Sequence, residues 1–298
     1  MRPCVESSSG VSTMGRSELG ELHHRTCLRL REAGVEESAR EAYLLLCEAA
    51  KCSLSRLLTR QDGEWTEFDR MRLEDLLRRR EGREPWAYIK GSREFYGRNF
   101  RVGPGVLIPR PETEILIEWL REEQETRRCG RALDLCCGSG NIAITLALEF
   151  AIAVRGTDIS PAALRYARAN GDDLGAGALC HFERMDLLAE TPSLEGVGLI
   201  TINPPYIPEG DLAGLEPEVE RWEPHEALNG GGEEGLEFFL RVRGRLRPAR
   251  GVPLYAELGV GQGVLLSGES VMQGWQLEGS RRDLAGIERI FKFVYRGI

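Results

Sequence analysis

The tetrapeptide Asn203-Pro204-Pro205-Tyr206 directly follows the apolar run Leu199-Ile200-Thr201-Ile202, so it reads as the turn at the carboxyl end of a strand. Its two prolines fix the backbone and leave no N–H to compete for acceptors. The Asn203 side-chain amide and the Pro204 carbonyl then offer two oxygens in one small volume, suited to accept both hydrogens of an –NH2 group. Tyr206 adds a flat ring that can cover a planar amide or base. A planar nitrogen is a poor nucleophile. Such a site therefore suits nitrogen attack on an electrophile, driven by positioning and charge placement with no strong base. On its own, the tetrapeptide also fits a rigid Pro-Pro turn that merely ends a strand.

A second constellation lies upstream, in Leu133-Asp134-Leu135-Cys136-Cys137-Gly138-Ser139-Gly140-Asn141-Ile142. It reads as a strand, a glycine turn and a helix start, an arrangement that lets a ligand approach backbone N–H groups closely. Asp134, Cys136, Cys137, Gly138, Ser139 and Gly140 are its candidate ligand contacts. Asp158 stands 24 positions after Asp134, at the end of the next apolar strand and beside Ile159, where a carboxylate can accept both hydroxyls of a ribose. Met185-Asp186-Leu187 follows the third strand, and a carboxylate there suits an adenine amino group. The spacing Asp-x-Cys-x-Gly-x-Gly lacks the first and last glycines of the dinucleotide fingerprint, so a nucleoside without a pyrophosphate fits better. Asn203 is the point where this nucleoside site and the amide grip meet.

These residues need a frame that brings strand ends together. From Arg131 onward, short apolar runs at 132–136, 152–157, 178–185, 197–202 and 252–257 alternate with helical stretches near 140–150, 160–172, 235–247 and 260–272. That alternation predicts an open, mostly parallel α/β sheet whose ligands bind at the strand carboxyl ends. Two last strands, 275–279 and 290–295, predict an antiparallel hairpin on its edge. Before the sheet, apolar residues recur at helical spacing from Ser17 to about Glu81, including Phe68, Met71, Leu73, Leu76 and Leu77, and predict a small all-α bundle. Thr66 and Asp69 form a capping box, and Arg78-Arg79-Arg80 reads as a solvated helix end. Pro85 breaks the helical pattern, and residues 86–106 read as a β-hairpin connector. The resulting division is an extension over 1–16 that reads as disordered, a helical domain over 17–84, a hairpin linker over 85–106 and an α/β domain over 107–298.

Composition narrows the partners. The 298 residues carry 39 basic and 47 acidic side chains, and the balance is uneven: residues 1–100 hold 18 and 17, residues 101–298 hold 21 and 30. An electronegative α/β part argues against wrapping nucleic acid. The eight cysteines include no C-x-x-C pair and read as packing thiols, with no metal site expected. No run approaches the roughly 18 apolar residues of a membrane span, and the opening residues lack a secretory apolar core. A cytoplasmic protein is expected.

Taken together, Arg83–Gly91, Glu94-Phe95-Tyr96-Gly97, Val106-Leu107-Ile108-Pro109-Arg110-Pro111-Glu112-Thr113-Glu114, the glycine loop, Asp158-Ile159-Ser160, Asn203–Tyr206, Glu223-Pro224, Gly231-Gly232 with Gly235-Leu236, and Asp283-Leu284-Ala285-Gly286 resemble the HemK family of class I methyltransferases. The resemblance covers nearly everything from residue 17. It implies a helical substrate-recognition domain, a β-hairpin linker and a Rossmann-like catalytic domain ending in an antiparallel hairpin. It further implies S-adenosyl-L-methionine as cofactor and transfer of its methyl group to the N5 amide nitrogen of a glutamine. The Ile-Pro-Arg-Pro-Glu-Thr-Glu form is most similar to the branch acting on the Gly-Gly-Gln loop of class-1 peptide chain release factors. By the same resemblance, Cys136–Gly140, Asp158 and Met185–Leu187 would contact the cofactor, and Asn203–Tyr206 would grip the substrate.

Cys136 stands where the family's loop often has its first glycine, so a different backbone conformation is expected there. His225 reads as a surface residue with no role as a base. The rival readings are a glutamine methyltransferase of a large-subunit ribosomal protein, a nucleic-acid adenine methyltransferase, disfavoured by the charge balance, and a non-catalytic module that keeps the fold for binding.

Overall fold

A computed structural model describes residues 15–59, 65–123, 129–267 and 273–297; the expected extension up to residue 14 lies outside the described residues. The chain divides into two compact units, the first ending at Lys90 and the second beginning at Gly91.

The first unit is all helical: α1 (Gly15–Glu32), α2 (Ser38–Ala49), α3 (Leu54–Thr59), α4 (Glu67–Glu81) and α5 (Trp86–Lys90). Leu30, Ala42, Leu45, Leu46, Ala49, Leu57, Leu73, Leu76 and Leu77 close its core. Helix α4 starts on the expected capping box, with the Asp69 N–H donating to Thr66 Oγ1 at 3.1 Å and the Thr66 N–H donating to Asp69 Oδ2 at 3.0 Å.

Three expectations change here. Phe68 and Met71 are exposed, at 67% and 64%, because positions 73, 76, 77 and 80 form the buried face of α4 and 68 and 71 fall on the opposite one. The arginine run is only partly a solvated helix end. Arg80 is 4% exposed and donates to Glu41 of α2 at 2.6 Å, while Arg79 pairs with Glu84. A guanidinium fork can tie two helices in a way a lysine cannot. Pro85 does end the α4 pattern, yet it also opens the short α5, since a proline suits a helix start.

The second unit opens with the expected hairpin, β1 (Ser92–Phe95) and β2 (Arg98–Arg101). Its two-residue turn, Tyr96-Gly97, has positive φ at both positions, the conformation that matches strand twist. The α/β part then runs through α6 (Glu114–Glu122), β3 (Arg131–Leu135), α7 (Asn141–Phe150), β4 (Ala153–Asp158), α8 (Pro161–Asp173), β5 (Cys180–Arg184) and β6 (Leu199–Ile202). It finishes with α9 (Pro217–Trp222), α10 (Glu237–Arg243), β7 (Pro253–Glu257), α11 (Gln262–Ser267), β8 (Trp275–Arg282) and β9 (Glu288–Tyr295).

The sheet order is β5-β4-β3-β6-β7-β9-β8. The first five strands are parallel, and β9 and β8 close the edge as the expected antiparallel pair. All four residues of β6 are buried, as a strand covered on both faces requires. From β3 the chain winds outward to β4 and β5, then returns to β6 and β7 on the other side. That reversal opens a crevice at the carboxyl ends of β3 and β6.

Candidate active site

Each candidate residue of the glycine loop follows β3 directly. Cys136 has φ +56, in the left-handed region, as do Gly138 at +53 and Gly140 at +80. The expected departure at Cys136 is therefore absent: the loop keeps a conformation that glycine reaches freely and takes the strain of a side chain there. The two glycines do different jobs. A Cβ on Gly138 would meet nothing within 4 Å, whereas one on Gly140 would press on Ile144, Phe182 and Ala167 at 3.0 to 3.2 Å. Gly138 gives the loop an open face; Gly140 lets α7 start tight against α8 and β5. Asn170 of α8 secures the loop from below, donating to the Ser139 carbonyl at 2.9 Å and bracketing Arg101 of β2 with both ends of its amide.

Asp158, at the end of β4, accepts from the Gly138 N–H and the Ser160 N–H, each at 2.9 Å. Burial lifts its carboxyl above the usual range, against these backbone donors. Asp134 differs. It is fully buried, accepts the Thr201 hydroxyl at 2.7 Å, and is pushed up to about 7 by burial, with that hydroxyl opposing the shift. Burial also pushes the Cys136 and Cys137 thiols well up, with the charges of Asp158 and Asp134 acting in the same direction. They stay protonated and serve as packing groups.

A cavity of about 410 Å³ opens over the crevice, within the range of small-molecule sites. Cys136, Cys137, Gly138, Ser139, Asp158, Ile159, Met185, Asp186, Leu187, Asn203 and Pro205 line it together. Asp134, Gly140, Pro204 and Tyr206 do not. Gly105–Arg110, Thr113 and Pro224–Ala227 contribute a further part of the wall, and His225 sits there as an exposed rim residue. Asn203 lines this cavity, and its side-chain oxygen is buried with no hydrogen-bond partner. A buried orphan acceptor is costly unless a ligand satisfies it.

The turn carrying Asn203 is held from outside. Gln262 Nε2 donates to the Tyr206 carbonyl at 2.8 Å and to the Glu234 carbonyl at 2.7 Å, while its Oε1 accepts from the Gly259 N–H at 2.7 Å. Gly230 and Gly235 let a second loop lie against it: a Cβ would stand 1.9 Å from the Gly235 carbonyl oxygen in the first case and 2.2 Å from that of Tyr206 in the second. The Tyr206 hydroxyl donates to Glu257 at 3.3 Å. This bond fixes the tip of the Tyr206 ring. Glu223, whose side chain is 1% exposed, accepts from Arg110 at 2.5 Å and from the Ile108 N–H at 3.0 Å, fixing the Pro109 stretch as a wall. Asn170, Glu223, Glu257 and Gln262 are absent from the residues singled out above for chemistry. Their partners lie far off in sequence, 115 positions for the Glu223–Ile108 bond and 144 for the Glu257–Thr113 bond, and no local spacing announces them.

Residues 111–214 match the Methyltransferase small domain family, and residues 21–91 match the PrmC N-terminal domain family. Sheet order, glycine turn and matched domain together define a Rossmann-like methyltransferase, and the cavity walls fit S-adenosyl-L-methionine: an acidic side chain at the end of β4, an open glycine turn and a flat apolar flank. Full-length relatives narrow the class. A release factor glutamine methyltransferase of Neisseria gonorrhoeae is 40% identical, covering 84% of this chain and 91% of that protein. Its counterpart in Cereibacter sphaeroides is 39% identical over 88% and 93% of the two chains, and that of Nitratidesulfovibrio vulgaris 36% identical over 97% and 98%. The chain belongs to the release factor glutamine methyltransferase family.

Proposed function

We propose that this protein transfers a methyl group from S-adenosyl-L-methionine to the N5 amide nitrogen of the glutamine in the Gly-Gly-Gln motif of class-1 peptide chain release factors. The single observation that carries the reading is the buried, unpartnered Oδ1 of Asn203 at the cavity wall. It matches one hydrogen of a side-chain amide, and the neighbouring Pro204 carbonyl, outside the lining of the ligand-free cavity, is the proposed second acceptor.

When bound, S-adenosyl-L-methionine supplies a methyl carbon made electrophilic by its sulfonium. Asp158 would hold the ribose hydroxyls with the lone pairs left by Gly138 and Ser160. Cys136–Ser139 would present backbone to the methionine portion, and Ile159 with Met185–Leu187 would flank the adenine. Asn203 and the Pro204 carbonyl orient the glutamine nitrogen and draw its hydrogens, so electron density stays on nitrogen as the N–C bond forms and the S–C bond breaks. The proton that the methylated nitrogen sheds would pass to water. No side chain need act as a strong base.

No helix among the described residues is long and apolar enough to cross a membrane. Residues 101–298 carry more acidic than basic side chains, which supports a protein substrate over a nucleic acid. The test is intact-mass analysis of a release factor incubated with the enzyme and S-adenosyl-L-methionine. One added methyl group, absent when the Gly-Gly-Gln glutamine is replaced, is the expected result. A gain on a ribosomal protein or nucleic acid in its place would move the substrate assignment there.

A further inference from the structure

Glu257 ends β7 with a carboxylate that is 1% exposed, and no basic side chain stands within ion-pair distance among the described residues. Arg110 and Arg289 act on it only at longer range, being paired with Glu223 and Asp283. Burying a charge without a cation opposes folding, and an apolar residue there would cost less. What the carboxylate gains is two hydroxyl donors from two separate walls. Thr113, which lines the cavity, donates a short hydrogen bond to Oε2, and Tyr206, which closes the turn bearing Asn203, donates to Oε1. With Gln262 on its carbonyl, Tyr206 is gripped at both ends.

We infer that Glu257 is a positioning residue for methyl transfer: it locks Tyr206 against Thr113 so that the turn bearing Asn203 keeps its place in the cavity wall. The inference rests on the function proposed above. Only a carboxylate presents an acceptor oxygen to each hydroxyl at once; a glutamine keeps the size, retains one acceptor and turns the other position into a donor.

The experiment compares wild type, Glu257→Gln, Tyr206→Phe and the double variant for kcat and KM on a release factor and for cofactor Kd. Glu257→Gln is expected to lower kcat roughly 10- to 100-fold, as a small misplacement of a positioned group does, with cofactor Kd unchanged within about twofold. Tyr206→Phe should lose kcat alike, and the double variant should be no worse than the poorer single, because both remove the same link. Where Glu257→Gln fails to fold, Tyr206→Phe and Thr113→Val carry the same prediction. Multiplying losses, a wild-type kcat in the variants, or a loss confined to cofactor affinity would overturn the inference while leaving the proposed function standing. A wild-type enzyme silent on the release factor would overturn both.

Discussion

The glycine loop and the Asn203 turn face the same cavity but are built by opposite means. The loop is set largely by backbone: three positive-φ residues in five, a bond from the Cys137 N–H to the Thr157 carbonyl at 2.9 Å, and Asp158 receiving the Gly138 N–H. The turn is set by a loop at Gly230–Gly235 and by side chains brought in from 50 or more residues away, with Gln262 and Glu257 as its clamps. Cofactor recognition can tolerate a generic backbone cradle, whereas aiming an amide at a methyl carbon demands a support closed on several sides.

Paired glycine substitutions should expose this difference most strongly. Gly230→Ala places a Cβ inside the Gly235 carbonyl and against the Tyr206 backbone, and should cost about 3 kcal/mol of stability while lowering methyl transfer. Gly138→Ala meets open space and should cost only about 1 kcal/mol, the strain of a left-handed alanine. Denaturant titration of both variants checks this, and equal costs would erase the distinction.

A separate effect lies in the pH dependence of stability. Asp134 titrates near 7 when folded and at its ordinary 3.8 when unfolded. Between these values the folded state holds the proton that the unfolded state has lost, so stability is full below about pH 4, declines as pH rises, and levels off above about 7. Asp134→Asn should remove that slope, giving a stability difference from wild type that grows from pH 5 to pH 8. A difference independent of pH would mean that the buried carboxyl keeps its ordinary titration.

Much of this was legible in the sequence because it is local. The alternation of strands and helices, the capping box at Thr66, a β-hairpin within 86–106, and the run from glycine loop to Asp158 all follow from spacing within some 30 residues. What spacing hides is pairing across the fold. Arg80 looks like a solvated helix end until Glu41 of α2 comes beside it, and nothing near Tyr206 in sequence announces that Glu257 takes its hydroxyl. Phe68 and Met71 enter the apolar count of α4, yet the helix phase turns them outward. The five-residue α5 and six-residue α9 are too short for periodicity to register.

The measurement that bears most directly on the divided cavity pairs cofactor Kd with the single-turnover methyl-transfer rate for Asp158→Ala and Asn203→Ala. Asp158→Ala should weaken cofactor binding about 10- to 100-fold, in line with losing hydrogen bonds to a charged group, with transfer largely intact at saturation. Asn203→Ala should bind cofactor within about twofold of wild type and transfer 100- to 1,000-fold more slowly, roughly the loss expected from deleting one preorganised polar contact to a developing charge. The reverse pattern, with Asn203→Ala losing the cofactor and Asp158→Ala losing the rate, would contradict the assignment of the two walls.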